Sequence, residues 1–151
     1  MAGFVLRDEI LKGEDLEQFS VQSTEMRLLE DFLYIMDKME LNNELSVYLD
    51  IYEILKKNSV EARKLQNQLM ILMKNRNLTY QRNRLETVVS YGTYSYMKKK
   101  WKSFLKSRKI KSPTWEEIIY VLDQCFSPIW AAIYEDRIYI GDWMPEISRY
   151  L

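Results

Sequence analysis

Ser112-Pro113-Thr114-Trp115-Glu116-Glu117, followed by Ile118, Ile119, Leu122, Cys125 and Phe126, reads as a helix start running into an apolar helical stripe. Two caps fit it. Ser112 would cap with Pro113 at the first helical position, or Thr114 would cap with Glu117 reaching back to close a capping box. Glu116 and Glu117 oppose the helix dipole in either case. Ser127-Pro128 then interrupts the stripe, and the spacing predicts a restart at Ile129.

The same three- and four-residue spacing recurs upstream. From Ser23 or Thr24 as cap, Met26, Leu29, Phe32, Leu33, Met36 and Met39 trace an amphipathic helix. Leu41-Asn42-Asn43 breaks it, with Asn43 placed to cap the next stripe of Leu45, Tyr48, Leu49, Tyr52 and Leu55. Asn58 and Glu61 resemble a capping box ahead of Ala62, Leu65, Leu69, Leu72 and Met73. Leu85, Val88 and Val89 mark a helix from Arg84 to Tyr91, which Gly92 would stop in the left-handed conformation. Thr93 would cap Tyr94–Arg108, whose apolar positions are Tyr94, Met97, Trp101, Phe104 and Leu105. A short helix is also expected at Val5–Leu11.

Beyond Ile129 the pattern divides. Ile129–Tyr134 reads as a short helix, or Ala132–Tyr134 and Arg137–Ile140 as strands around Glu135-Asp136. With four glycines and three prolines in 151 residues, turn residues are too few for a sandwich or barrel. The expectation is an all-α, single-domain helical bundle over residues 1–151, with six to seven helices and at most one short C-terminal β-hairpin. No apolar run approaches the roughly 18 residues of a membrane span. The acidic N-terminus argues against a signal peptide, and the lone Cys125 suits a reducing compartment. Cytoplasmic or nuclear residence follows as the expectation.

A formal net charge of zero conceals a block pattern. Residues 1–60 carry 13 acidic and 6 basic side chains, residues 61–112 carry 2 and 14, and residues 113–151 carry 7 and 2. The middle of the chain is therefore net +12 between flanks of −7 and −5. Either the flanks fold over the basic block and neutralise it, or the block offers an electropositive face to an anionic partner. Its densest part is Lys98 to Lys111, where Lys98, Lys99, Lys100, Lys102, Lys106, Arg108, Lys109 and Lys111 surround Trp101, Phe104 and Leu105. These eight are the candidate partner-binding residues. An acidic protein surface, a nucleic acid or an anionic membrane would each suit them. Eight methionines and eleven tyrosines mostly fill a core, with a surplus suited to a contact surface.

Catalysis finds little to work with. The chain has no histidine, so it holds no Ser-His or Cys-His pair and no histidine metal ligand. Its four glycines are scattered and form no phosphate-binding loop. A carboxylate-dependent enzyme is the remaining catalytic reading, with Asp136 or Asp142 as conceivable Mg²⁺ ligands. No catalytic, cofactor or metal-ligating residue is assigned. Cys125, beside Leu122 and Phe126, reads as a buried small hydrophobe.

Lys100-Trp101-Lys102-Ser103-Phe104-Leu105 with its basic tail, then Thr114-Trp115-Glu116-Glu117-Ile118-Ile119-Tyr120-Val121-Leu122-Asp123-Gln124-Cys125-Phe126-Ser127-Pro128, resembles the C-terminal helical region of paramyxovirus C accessory proteins. Tyr48-Leu49-Asp50-Ile51-Tyr52 and the Ser59–Leu65 helix start are similar to the preceding helices, so the resemblance spans residues 45–133. It implies a non-enzymatic viral protein that restrains interferon signalling and modulates viral RNA synthesis by binding host and viral proteins. Members of that family are usually strongly basic, whereas this chain is neutral with an acidic first third. The sequence as a whole thus predicts a protein–protein interaction module, alone or as a homo-oligomer. RNA or DNA binding through Lys98–Lys111 is the alternative.

Overall fold

A computed structural model describes residues 23–151. Six α-helices lie among them: α1 (Thr24–Lys38), α2 (Ser46–Lys57), α3 (Ala62–Asn75), α4 (Arg84–Ser90), α5 (Ser95–Arg108) and α6 (Trp115–Tyr134). Short 3₁₀ turns, Met39–Leu41 and Tyr91–Thr93, follow α1 and α4. One antiparallel hairpin pairs β1 (Trp143–Met144) with β2 (Arg149–Tyr150). The predicted helical bundle is what forms. The expected helix at Val5–Leu11 lies outside the described residues.

α6 is the axis around which the other elements pack. It touches α2, α3, α4, α5 and β2, so apolar residues are needed on most of its sides. Trp115, Ile118, Ile119, Val121, Leu122, Cys125, Phe126, Ile129 and Trp130 are accordingly all buried. Phe126 stacks on Phe32 of α1 with ring centroids 4.1 Å apart, and Trp130 meets the same ring edge-on at 5.8 Å. The helix begins as one of the two predicted starts: Thr114 accepts from the Glu117 amide at 3.1 Å while the Glu117 carboxylate accepts from Thr114 N–H at 2.8 Å.

The expected interruption at Ser127-Pro128 does not occur, because α6 continues through Pro128 to Tyr134. A proline inside a helix costs ~3 kcal/mol or more. Burying Phe126, Ile129 and Trp130 on either side returns roughly 1.5–3 kcal/mol each, which outweighs the break.

Several local expectations are corrected by where hydrogen bonds go. Ser23 does cap α1, accepting from Met26 N–H at 3.1 Å. Asn43 does not cap α2. That helix starts after Leu45 without a side-chain cap, and the buried Asn42 takes the Glu44 amide at 2.7 Å. Asn58 and Glu61 do not form a capping box. Asn58 instead donates back to Ile54 O at 3.0 Å at the end of α2, and Glu61 enters a β-bridge with Asp142. Thr93 lies in a 3₁₀ turn and donates to Ser90 O, leaving α5 to begin after Tyr94. Gly92 is not left-handed. It matters by closeness, since a Cβ there would stand 3.3 Å from Ile119 Cγ2.

The hairpin sits further along the chain than the residues around Glu135-Asp136. Arg137–Ile140 forms no strand pair among the described residues, and the buried side chain of Gln66 takes its backbone instead. The Gln66 amide donates to Arg137 O and accepts from Tyr139 N–H, both at 2.9 Å. The tail then docks against the α2–α3 connection, with Ala62 N–H on Gly141 O at 2.9 Å and Trp143 N–H on Val60 O at 2.8 Å.

Each of the four tryptophans is buried and donates its indole N–H to a backbone carbonyl. Trp101 reaches Pro113 O (2.9 Å), Trp115 reaches Tyr91 O (2.6 Å), Trp130 reaches Arg82 O (2.9 Å) and Trp143 reaches Leu55 O (2.7 Å). Each of those carbonyls belongs to a connection or a helix end, where intrahelical partners run out.

Candidate interaction surface

The question posed by the charge blocks has a divided answer. In the first half of the basic block, Lys64 pairs with Glu25 (3.8 Å), Arg76 with Glu30 (2.6 Å) and Arg82 with Glu135. These partners come from the two acidic flanks, so the neutralising fold-over happens in part, at Lys64, Arg76 and Arg82, while Arg63 and Lys74 of α3 stay exposed and make no ion pair among the described residues. The Arg76 guanidinium, hydrogen-bonded to Glu30, holds that carboxyl below its ordinary range.

α5 is treated differently. Met97 and Trp101 are buried, Phe104 and Leu105 are half-buried against the core, and the opposite face is left to the lysines. Trp101 stacks with Phe104 at 4.9 Å and meets Trp115 at 5.6 Å, so the expected inward anchor is in place. Among the described residues, the segment Lys98–Lys111 makes one ion pair, Lys98–Glu116 at 3.0 Å. That contact lowers the Glu116 pKa through its hydrogen bond to Lys98.

The eight candidate residues therefore fall into two groups. Lys98, Lys100 and Arg108 are engaged. Lys100 is half-buried, and its ammonium donates to Asn42 O at 2.6 Å and Glu40 O at 3.2 Å beside the Tyr96 ring. It thereby closes the end of the 3₁₀ turn after α1 rather than facing outward. Arg108 lies over the Phe104 ring at 4.7 Å. Lys99, Lys102, Lys106, Lys109 and Lys111 are exposed and meet no carboxylate among the described residues. Lys99, Lys102 and Lys106 recur at helical spacing and form an outward strip.

Two grooves border this strip. On one side a shallow depression of about 560 Å³ is lined by Leu45, Tyr96, Lys99, Ser103, Phe104 and Ser107. Tyr94 and Tyr96 stand beside it with 44 and 47% of their surface exposed and ring centroids 5.7 Å apart. On the other side, past the Lys98–Glu116 contact, lies a second depression of about 540 Å³. Tyr52, Lys56, Glu116, Glu117, Tyr120, Glu146 and Ile147 line it. Sequence reasoning missed this acidic, aromatic groove. Glu116, Glu117 and Tyr120 are readable as one exposed helical patch, but Tyr52 and Glu146 arrive from distant segments.

Chemistry elsewhere is sparse. Among the described residues no three Cys, Asp or Glu side chains gather to hold a metal ion, and Asp136 and Asp142 are exposed. Cys125 is buried as expected, and burial pushes its thiol up to about 12. A carboxyl pair the sequence reading did not single out joins α1 to α2. Asp31 is half-buried within hydrogen-bonding reach of Asp50, which also takes the Arg27 guanidinium. Burial and Asp50 push Asp31 up to about 8. No helix among the described residues is long and apolar enough to cross a membrane.

No protein-family model, curated protein or solved structure matches this chain. The likeness to paramyxovirus C proteins accordingly rests on the residues quoted for it.

Proposed function

We propose that this protein is a non-enzymatic interaction module whose α5 face binds an acidic protein surface. One observation carries the reading: Lys99, Lys102, Lys106, Lys109 and Lys111 stay exposed, clustered and without a carboxylate among the described residues, while Lys64, Arg76 and Arg82 elsewhere in the block are paired. Charge that is left open on a rigid helix steers an oppositely charged partner and fixes its orientation. A host or viral protein is the partner class that the family resemblance supplies. With it comes the finer reading of an accessory protein that restrains interferon signalling, modulates viral RNA synthesis and resides in the cytoplasm or nucleus. Unchanged interferon-driven reporter expression in cells producing the chain would remove that finer reading.

RNA or DNA binding is the second reading, favoured by Tyr94 and Tyr96, whose exposed rings beside the lysines offer a stacking surface. Salt separates the two. A glutamate-rich peptide is expected to bind with an association rate that falls with salt and a nearly constant dissociation rate. Labelled RNA and DNA are expected to bind more weakly than micromolar at physiological salt, and the triple variant Lys99→Glu, Lys102→Glu, Lys106→Glu to lose the peptide. Micromolar nucleic-acid binding lost in that variant, with log affinity falling against log salt at a slope of about −3, would reverse the ranking.

A further inference from the structure

The basic strip and the acidic groove are neighbours, and their border is the Lys98–Glu116 contact. On one side stand Lys102 and Lys106, exposed and without a carboxylate among the described residues. On the other lie Glu117 and Glu146, with Tyr120 and Ile147 left 55 and 48% exposed between them. Lys56, the cation in that groove, is occupied by Ser148 Oγ at 3.3 Å and the face of Tyr52. Three carboxylates, Glu116, Glu117 and Glu146, against the one ammonium of Lys56 leave the groove net negative around an apolar centre, the composition of an interface with a polar rim.

We propose that the partner of this surface is a second copy of the chain, docked about a two-fold axis that passes through the Lys98–Glu116 border. Opposite patches that share an edge have a property that separated patches lack. A half-turn about that edge lays each basic strip across the partner's acidic groove, so one operation forms two identical complementary contacts and closes the assembly. Tyr120 and Ile147 of each copy are then covered near the middle of the contact. A formal net charge of zero leaves no overall repulsion to oppose the pairing. This proposal rests on the α5 strip being an interaction surface and adds the acidic groove as its complement.

Two charge-reversed variants of the full chain test it by sedimentation and light scattering. Lys102→Glu with Lys106→Glu turns the strip acidic, and Glu116→Lys with Glu146→Lys turns the groove basic while sparing the Thr114–Glu117 capping box. The wild type is expected to dimerise at micromolar concentration. Raising salt from about 0.1 M to about 1 M, which shortens the screening length from ~10 to ~3 Å, should weaken the dimer at least tenfold. Each variant alone is expected to be monomeric, and an equimolar mixture of the two to form a heterodimer, because both contacts are then complementary again. A monomeric wild type, a dimer indifferent to the reversals, or a mixture that stays monomeric although both variants melt like the wild type would overturn it. The groove variant keeps its α5 strip, so its binding of the glutamate-rich peptide separates failure of the dimer from failure of the acidic-partner reading.

Discussion

Asp31 is an aspartate held where an aspartate is poorly served. One of its oxygens is buried without a donor among the described residues, the Asp50 carboxyl faces it, and Glu30 adds to the negative field, opposed by the Arg27 cation. Its pKa rises from 3.8 to about 8, so the folded chain keeps a proton that the unfolded chain has lost. Stability should therefore fall as pH rises from about 4 to about 8, the interval in which the folded state binds more protons. Asp31→Asn imitates the protonated form and is expected to flatten that decline. With screening by solvent and Arg27, the gain at pH 8 should be about 1–2 kcal/mol, vanishing near pH 4, as read from urea unfolding across pH. Trp101 makes the opposite case, a side chain whose place was legible from spacing alone, since it continues the step set by Met97. Trp101→Ala is expected to cost about 3–5 kcal/mol in the same assay. The indole bond to Pro113 O was not legible, because no local pattern says which carbonyl a buried N–H will find.

Among the elements, the helix stripes were legible and their ends were less so. Of the two starts read for each helix, Thr114 with Glu117 formed at α6 and Ser23, accepting from Met26, at α1, because those partners lie three residues apart and answer to local geometry alone. Asn58 and Glu61 failed because a tail more than 80 residues away competes for the same backbone, and Pro128 failed as a break because its neighbours are buried on an axis that only the assembled bundle defines. The end of α5 shows a local cost tolerated by the fold. Lys109 is left-handed, with φ 58° and ψ 39°, and Ile110 N–H reaches back to Leu105 O at 3.1 Å. Glycine adopts that conformation without the Cβ penalty of ~1–2 kcal/mol. Lys109→Gly is accordingly expected to stabilise the protein by up to about 1 kcal/mol in thermal unfolding, while removing one positive charge from the α5 end.

For the molecule as a whole, the block charge pattern predicted a basic face but not its extent. The count of 14 basic residues could not say that Lys64, Arg76, Arg82 and Lys98 would meet carboxylates while Lys99, Lys102 and Lys106 would meet none among the described residues, because that depends on how helices far apart in sequence come to lie together. The candidate site was thus half legible, as a list of lysines, and Lys100 left that list by turning inward. The C-terminal segment closes the bundle at long range: Trp143 is fully buried and bonded to Leu55 O, 88 residues earlier. Ending the chain after Asp142 is expected to cost at least the ~3–5 kcal/mol of deleting one buried aromatic, seen as a lowered melting temperature with helical circular dichroism retained below it.

The four indole bonds also make the protein its own set of local gauges. Each N–H is shut away at a different junction, so it can trade hydrogen for deuterium only when that junction opens. Indole proton signals followed by NMR in heavy water would resolve the four separately. The order of their disappearance would rank the entry to α4, the α4–α5 turn, the α5–α6 connection and the tail by opening free energy, with no label attached and no residue replaced.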